Sequence, residues 1–135
     1  MSGKILVIDD EKDIRQLVAV MLESAGYAVS QASNGQNGLS LLQEAKYDLV
    51  ITDVMMPGLD GWEVCRKVKA MPHMRQTAVI FLTVRNQPMD KIMGLEVTQA
   101  DGYLTKPFDQ QELLDVVAEA LSTRKVRADD YVSTE

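Results

Sequence analysis

Lys4-Ile5-Leu6-Val7-Ile8-Asp9-Asp10 opens the chain and decides how the rest is read. Four consecutive apolar, mostly β-branched residues bounded by charge read as a strand buried on both faces. Two acids follow at once. The apolar residues Ile14, Leu17, Val18, Met21, Leu22 and Ala25 come next, at offsets of 3, 4, 7, 8 and 11 from Ile14, which trace one face of a helix. Gly26 then stands where a helix stops.

The strand–helix alternation repeats outward from this unit. Tyr27–Ala32 reads as a second strand, and Ser33 with Gln36 has capping-box spacing for a helix carrying Leu39, Leu42 and Ala45. Asp48–Thr52 is a third strand running into Asp53. Met55 to Gly61 holds Pro57, Gly58 and Asp60-Gly61, a loop composition. Trp62 to Met71 reads as a helix with Val64, Cys65, Val68 and Met71 inward. Ala78–Leu82 is a fourth strand ending at Thr83, and about Pro88 to Val97 a fourth helix. Gly102–Thr105 is a short fifth strand leading to Lys106-Pro107. Asp109 and Glu112 frame a last helix with Leu113, Leu114, Val117, Ala120 and Leu121 on its apolar face. From Ser122 the chain turns polar and aperiodic, which predicts a frayed end or linker stub.

Five strands alternating with five helices need parallel strands and crossover connections. Five units are too few for an eight-fold barrel. The expectation is an α/β fold, an open doubly wound sheet with helices on both faces, which binds ligands at the carboxyl ends of its strands.

Composition agrees and narrows the function. The 135 residues are 46% hydrophobic and 25% charged, as in an ordinary globular domain. One cysteine, Cys65, allows no internal disulfide and suits a reducing, cytoplasmic setting. No apolar run approaches the roughly 18 residues that cross a bilayer, and the first residues do not read as a signal peptide. Lys and Arg number 14 against 20 Asp and Glu, a net charge of −6. That sign disfavours direct nucleic-acid binding by this domain.

The ligand edge predicted for the sheet collects Asp9 and Asp10 after strand one, Asp53 after strand three, Thr83 after strand four and Lys106 after strand five. Singly, each has a plainer reading: Asp9 or Asp10 as the cap of the first helix, Asp53 and Thr83 as turn residues, Lys106 as a solvated lysine, Tyr103 as half-exposed filler. Jointly they form an all-oxygen donor set that repels itself unless a cation is present. Such a set suits a hard divalent ion, Mg²⁺ before Ca²⁺ because few protein ligands are offered. His73 and Cys65 fall outside it, which argues against zinc. Mg²⁺, a lysine and a hydroxyl make a seat for a phosphoryl group. No glycine-rich nucleotide loop is present, so that group has to arrive activated, or become attached here, with the Asp53 carboxylate as acceptor.

Four segments together resemble the receiver domain of two-component response regulators. They are Ile8-Asp9-Asp10-Glu11; Asp53-Val54-Met55-Met56-Pro57-Gly58-Leu59-Asp60-Gly61; Leu82-Thr83; and Ala100-Asp101-Gly102-Tyr103-Leu104-Thr105-Lys106-Pro107-Phe108. The resemblance implies the flavodoxin-like strand order 2-1-3-4-5, a receiver over 1–122 and a polar tail over 123–135. It implies Asp53 as phosphoacceptor; Asp10, Asp53 and the Met55 carbonyl as direct Mg²⁺ ligands, with Asp9 acting through water; and Lys106 as the phosphate-pairing lysine, joined to Pro107 by a cis bond. Thr83 and Tyr103 resemble the switch pair that relays the state to the surface of the fourth helix, fifth strand and fifth helix. The implied partners are a sensor histidine kinase or histidine phosphotransfer protein of a phosphorelay, and a downstream protein target or an output domain outside this chain. A phosphorylation-dependent homodimer is compatible with that scheme. Such a protein is a regulator with self-catalysed phosphotransfer and dephosphorylation, not an enzyme acting on a free substrate.

Two positions depart from the family pattern. Val84 stands where a small residue commonly follows the switch threonine, which implies slower self-catalysed chemistry. Gln99 stands where a glycine often precedes Ala-Asp. Three other readings are weaker. A Mg²⁺-dependent phosphohydrolase resembling the haloacid dehalogenase group carries Asp-x-Asp at its nucleophile, whereas Met55 lies two residues past Asp53 and Glu11 two past Asp9. A receiver-like module that is never phosphorylated would not need the intact acid set, and a flavin carrier would need a Ser/Thr-rich phosphate loop after strand one.

Overall fold

The computed structural model describes residues 3–74, 76–84 and 100–133, with side chains to residue 123. The fourth helix expected over Pro88 to Val97, and Gln99, lie outside the described residues. The elements are β1 (Lys4–Ile8), α1 (Lys12–Ser24), β2 (Ala28–Ala32), α2 (Gly35–Glu44), β3 (Leu49–Asp53), α3 (Gly61–Ala70), a short 3₁₀ turn (Pro72–Met74), β4 (Ala78–Val84), β5 (Gly102–Lys106) and the C-terminal helix α4 (Gln110–Ser133). The strands form one parallel sheet in the order β2-β1-β3-β4-β5, as the resemblance implies.

Alternation along the strands divides the core into two layers. Ile5 and Val7 of β1, Leu49 and Ile51 of β3, and Ile80 and Leu82 of β4 pack against Val18 and Leu22 of α1 and Leu113 and Val117 of α4. Leu6 and Ile8, Val50, and Val79 and Phe81 face the other way, against Leu42 of α2 and Val64, Cys65 and Val68 of α3. Burial on both faces explains why the central strands read as unbroken apolar runs.

Local signals at the helix ends are partly as expected. Gly26 has φ +99°, the left-handed conformation of a helix stop. Asp109 and Glu112 form a reciprocal box: the Glu112 N–H donates to Asp109 Oδ1 at 2.8 Å and the Asp109 N–H to Glu112 Oε1 at 3.1 Å. The start of α2 differs. Its cap is Asn34, whose Oδ1 accepts the Asn37 N–H at 2.8 Å, rather than Ser33. Asn and Ser are near-equal caps, and the one adjoining the first helical turn is used. Neither Asp9 nor Asp10 caps α1; Glu11 holds that position, without a side-chain cap.

Two expectations are corrected. Leu17 is 46% exposed although its spacing places it on the apolar face of α1. Ile14, Val18, Met21 and Leu22 already fill the groove above the sheet, so Leu17 falls at its margin. The last helix does not stop near Ser122 but continues to Ser133. Residues 123–133 contain neither Gly nor Pro and include Arg124, Lys125, Arg127 and Ala128, all good helix formers.

α3 begins hard against β3. A Cβ on Gly61 would stand 2.4 Å from the carbonyl oxygen of Asp53 and 2.9 Å from Cα of Val54. The Gly61 N–H donates to the Val54 carbonyl at 2.9 Å, which locks the approach. Because those atoms are backbone, they cannot step aside. Gly61→Ala is therefore expected to destabilise the fold by about 1–3 kcal/mol, read as a lower urea midpoint; an unchanged midpoint would contradict this packing.

Candidate functional site

The strand order decides which chain ends meet. β1 and β3 are central neighbours, and the chain leaves them in opposite directions, to β2 on one side and β4 on the other. This is the switch point at which open α/β sheets bind ligands. Asp9 follows β1 and is fully buried, Asp10 beside it is exposed, and Asp53, the last residue of β3, is 6% exposed. One oxygen from each of Asp9, Asp10 and Asp53 lies within 4.8 Å of the others.

Lys106 ends β5 and closes the cluster. Its Nζ donates to Asp9 Oδ2 at 3.2 Å, to Asp53 Oδ2 at 3.2 Å and to Glu11 Oε1 at 3.4 Å. The remaining carboxylate oxygens take backbone donors. Asp53 Oδ1 accepts the Met55 N–H at 3.2 Å, and Asp9 Oδ1 accepts the Glu11 N–H at 2.9 Å. Arg15 of α1 braces the floor: its Nη1 donates to the Asp9 carbonyl at 2.8 Å and its Nε to Gln31 Oε1 at 3.2 Å.

One ammonium thus serves several acids. Burial pushes the Asp53 carboxyl above its usual range; Lys106 pulls it back and the neighbouring charge of Asp9 raises it again. Burial pulls the Lys106 ammonium down, but the carboxylates of Asp53 and Asp9 outweigh this and hold it above the usual lysine range. At Asp53 burial outweighs the pull of Lys106, an ammonium that it shares with Asp9 and Glu11. The donor set is all oxygen and its acids outnumber the ammonium, which fits a hard divalent cation such as Mg²⁺.

The other expected residues lie on the strands and the loop that carry this cluster. Thr83 is buried on β4, one residue past Leu82, the register partner of Asp53. Val84 is exposed and pairs in register with Lys106. Met55 is exposed on the loop after Asp53. Tyr103 on β5 is 38% exposed, with its ring tilted against Phe81 at 5.8 Å. The Lys106-Pro107 bond is cis. Cys65 is buried in the core and His73 lies on the 3₁₀ turn near the Leu42 carbonyl, both away from the acids. Glu11 and Arg15 are site residues that the sequence reading did not assign. Their four-residue spacing at the start of α1, directly after the acid pair, was the available signal.

Comparison with known proteins follows the same residues. The response regulator receiver domain family matches residues 5–118. A curated relative, an uncharacterised transcriptional regulatory protein YkoG of Bacillus subtilis, is 41% identical over 129 residues, which is 96% of this chain and 55% of that protein. The chain therefore spans about half the length of that relative. The chemotaxis protein CheY4 of Vibrio cholerae superposes with a TM-score of 0.82 at 35% identity, over 89% of this chain and 99% of its own. A response regulator receiver domain protein from Clostridium thermocellum gives a TM-score of 0.82 at 36% identity, over 92% of this chain and 98% of its own. With family, fold and acid cluster in agreement, the chain belongs to the response regulator receiver domains of two-component signalling.

Proposed function

We propose that the chain is a phosphorylation-dependent signalling switch in which Asp53 accepts a phosphoryl group from a partner's phosphohistidine. The carrying observation is the meeting of Asp9, Asp10, Asp53 and Lys106 at one sheet edge, with Asp53 at the end of a central strand. An Asp53 oxygen attacks phosphorus, the P–N bond breaks, and the imidazole leaves. Asp10, Asp53 and the Met55 carbonyl would hold Mg²⁺, with Asp9 as an indirect ligand, and the ion would supply positive charge to the phosphoryl oxygens. Lys106 adds a donor to the same oxygens.

The product carries a charge of roughly −1.5 to −2 by analogy with other phosphorylated side chains. Thr83 turns its hydroxyl to a phosphoryl oxygen, and Tyr103 turns inward. Charge-assisted hydrogen bonds of about 1.5–3 kcal/mol each reach, in a small number, the roughly 5.5 kcal/mol that moves a two-state domain from 1:99 to 99:1. Among the described residues, the altered surface involves β5 and α4. Water later hydrolyses the acyl phosphate. The donor is a sensor histidine kinase or a histidine phosphotransfer protein, and the receiver occupies 1–122 of a cytoplasmic regulator. The receiver of the state is a downstream protein or an output domain. No helix among the described residues is long and apolar enough to cross a membrane.

Treated with Mg²⁺ and a small acyl phosphate, the protein is expected to gain one phosphoryl group by intact-mass measurement. Asp53→Asn and chelator-treated samples gain none; a phosphorylated Asp53→Asn would move the acceptor elsewhere. Val84 sits beside Lys106 in register, so Val84→Ala is expected to speed both phosphorylation and dephosphorylation, and equal rates refute a role for its bulk. The raised Asp53 carboxyl has a consequence for stability. The folded chain holds a proton at Asp53 more readily than the unfolded chain, so ionised Asp53 weakens the fold at neutral pH. Metal-free Asp53→Asn should melt higher than wild type at pH 7, with the gain shrinking as the pH falls towards about 4. A lower melting point at pH 7 contradicts this.

A further inference from the structure

An ammonium has three N–H donors, and Lys106 has three carboxylate partners: Asp9, Asp53 and Glu11. A phosphoryl group built on Asp53 has to take a donor from one of them. The three are not equally easy to release. Asp9 is fully buried, so withdrawing its ammonium would leave a buried carboxylate short of a countercharge. Asp53 carries the incoming group itself. Glu11 is 62% exposed, has the longest of the three bonds at 3.4 Å, and water stands ready to solvate it.

The backbone of Glu11 is held while its side chain stays at the surface. Its N–H donates to Asp9 Oδ1 and its carbonyl accepts the Arg15 N–H at 3.0 Å. Its side chain makes no capping bond to α1. We propose that Glu11 is a displaceable counter-ion, a positioning residue that holds the Lys106 ammonium at the mouth of the site and yields it to a phosphoryl oxygen. The inference rests on Asp53 being the phosphoacceptor. It deepens that reading by naming the contact that has to break, and by making Glu11 a brake on phosphoryl entry.

The test uses Mg²⁺ with beryllium trifluoride, a non-transferable stand-in for the phosphoryl group, and measures affinity by calorimetry. Glu11→Gln removes the charge. Glu11→Asp keeps the charge but is one methylene too short to hold Lys106. Both are expected to tighten binding by about 1.5- to 5-fold, the range of an exposed ion pair, with the melting temperature nearly unchanged. In the metal-free protein the Lys106 ammonium protons should exchange with water faster in both variants, by nitrogen-15 NMR. Tightening in Glu11→Gln alone would mean simple charge repulsion and overturn the proposal. Unchanged affinity in both, or unchanged exchange, would also overturn it. A wild type that neither binds the analogue nor accepts a phosphoryl group sinks the phosphoacceptor reading, and this one with it. Normal wild-type binding with silent variants sinks this one alone.

Discussion

Everything at the functional edge follows from a shortage of positive charge. Asp9 and Asp53 are buried at the ends of adjacent strands, and Asp10 sits beside them. Like charges so close raise one another's energy unless something compensates. Among the described residues, Lys106 is the ammonium that compensates them, and it is divided. Such an arrangement is poor as a stabilising ion pair and well suited to receiving cationic charge from outside. The imbalance is tolerable because the sheet beneath is strongly buried.

The topology creates that shortage. The order β2-β1-β3-β4-β5 places the first and third strands side by side, so acids more than forty residues apart in the chain become neighbours. Lys106 joins from β5, on the far side of β4 from β3. Three backbone restraints keep the arrangement narrow: the Met55 amide on Asp53, the Glu11 amide on Asp9, and the start of α3 against the Asp53 peptide. The first two orient carboxylate oxygens. The third limits how far β3 can shift without moving a helix.

Much of this was legible before any coordinates. The apolar runs identify the strands because both faces of the sheet are covered, and the acids, threonine and lysine at the strand ends needed only the site rule to form one cluster. The failures are informative. Ser33 and Asn34 offer the same capping chemistry, so composition alone does not choose between them. Leu17 shares the helical spacing of its buried neighbours, but the width of the groove is a tertiary property. The polarity of the chain after Ser122 speaks to burial rather than backbone, and a segment with neither Gly nor Pro remains helical. Glu11 and Arg15 leave little trace in the sequence because their partners, Lys106 and Gln31, are distant in the chain.

The chain has a single tryptophan, and its position is unusually useful. Trp62 immediately follows the glycine that touches the Asp53 peptide, is 5% exposed, and stands edge-on to Phe81 with ring centroids 4.7 Å apart. Phe81 in turn meets the tilted ring of Tyr103 on β5. Tryptophan emission therefore comes from one place, the contact between α3 and β4. Its emission colour and intensity offer an optical readout of α3–β4 packing in the unmodified protein, without a dye or an engineered probe.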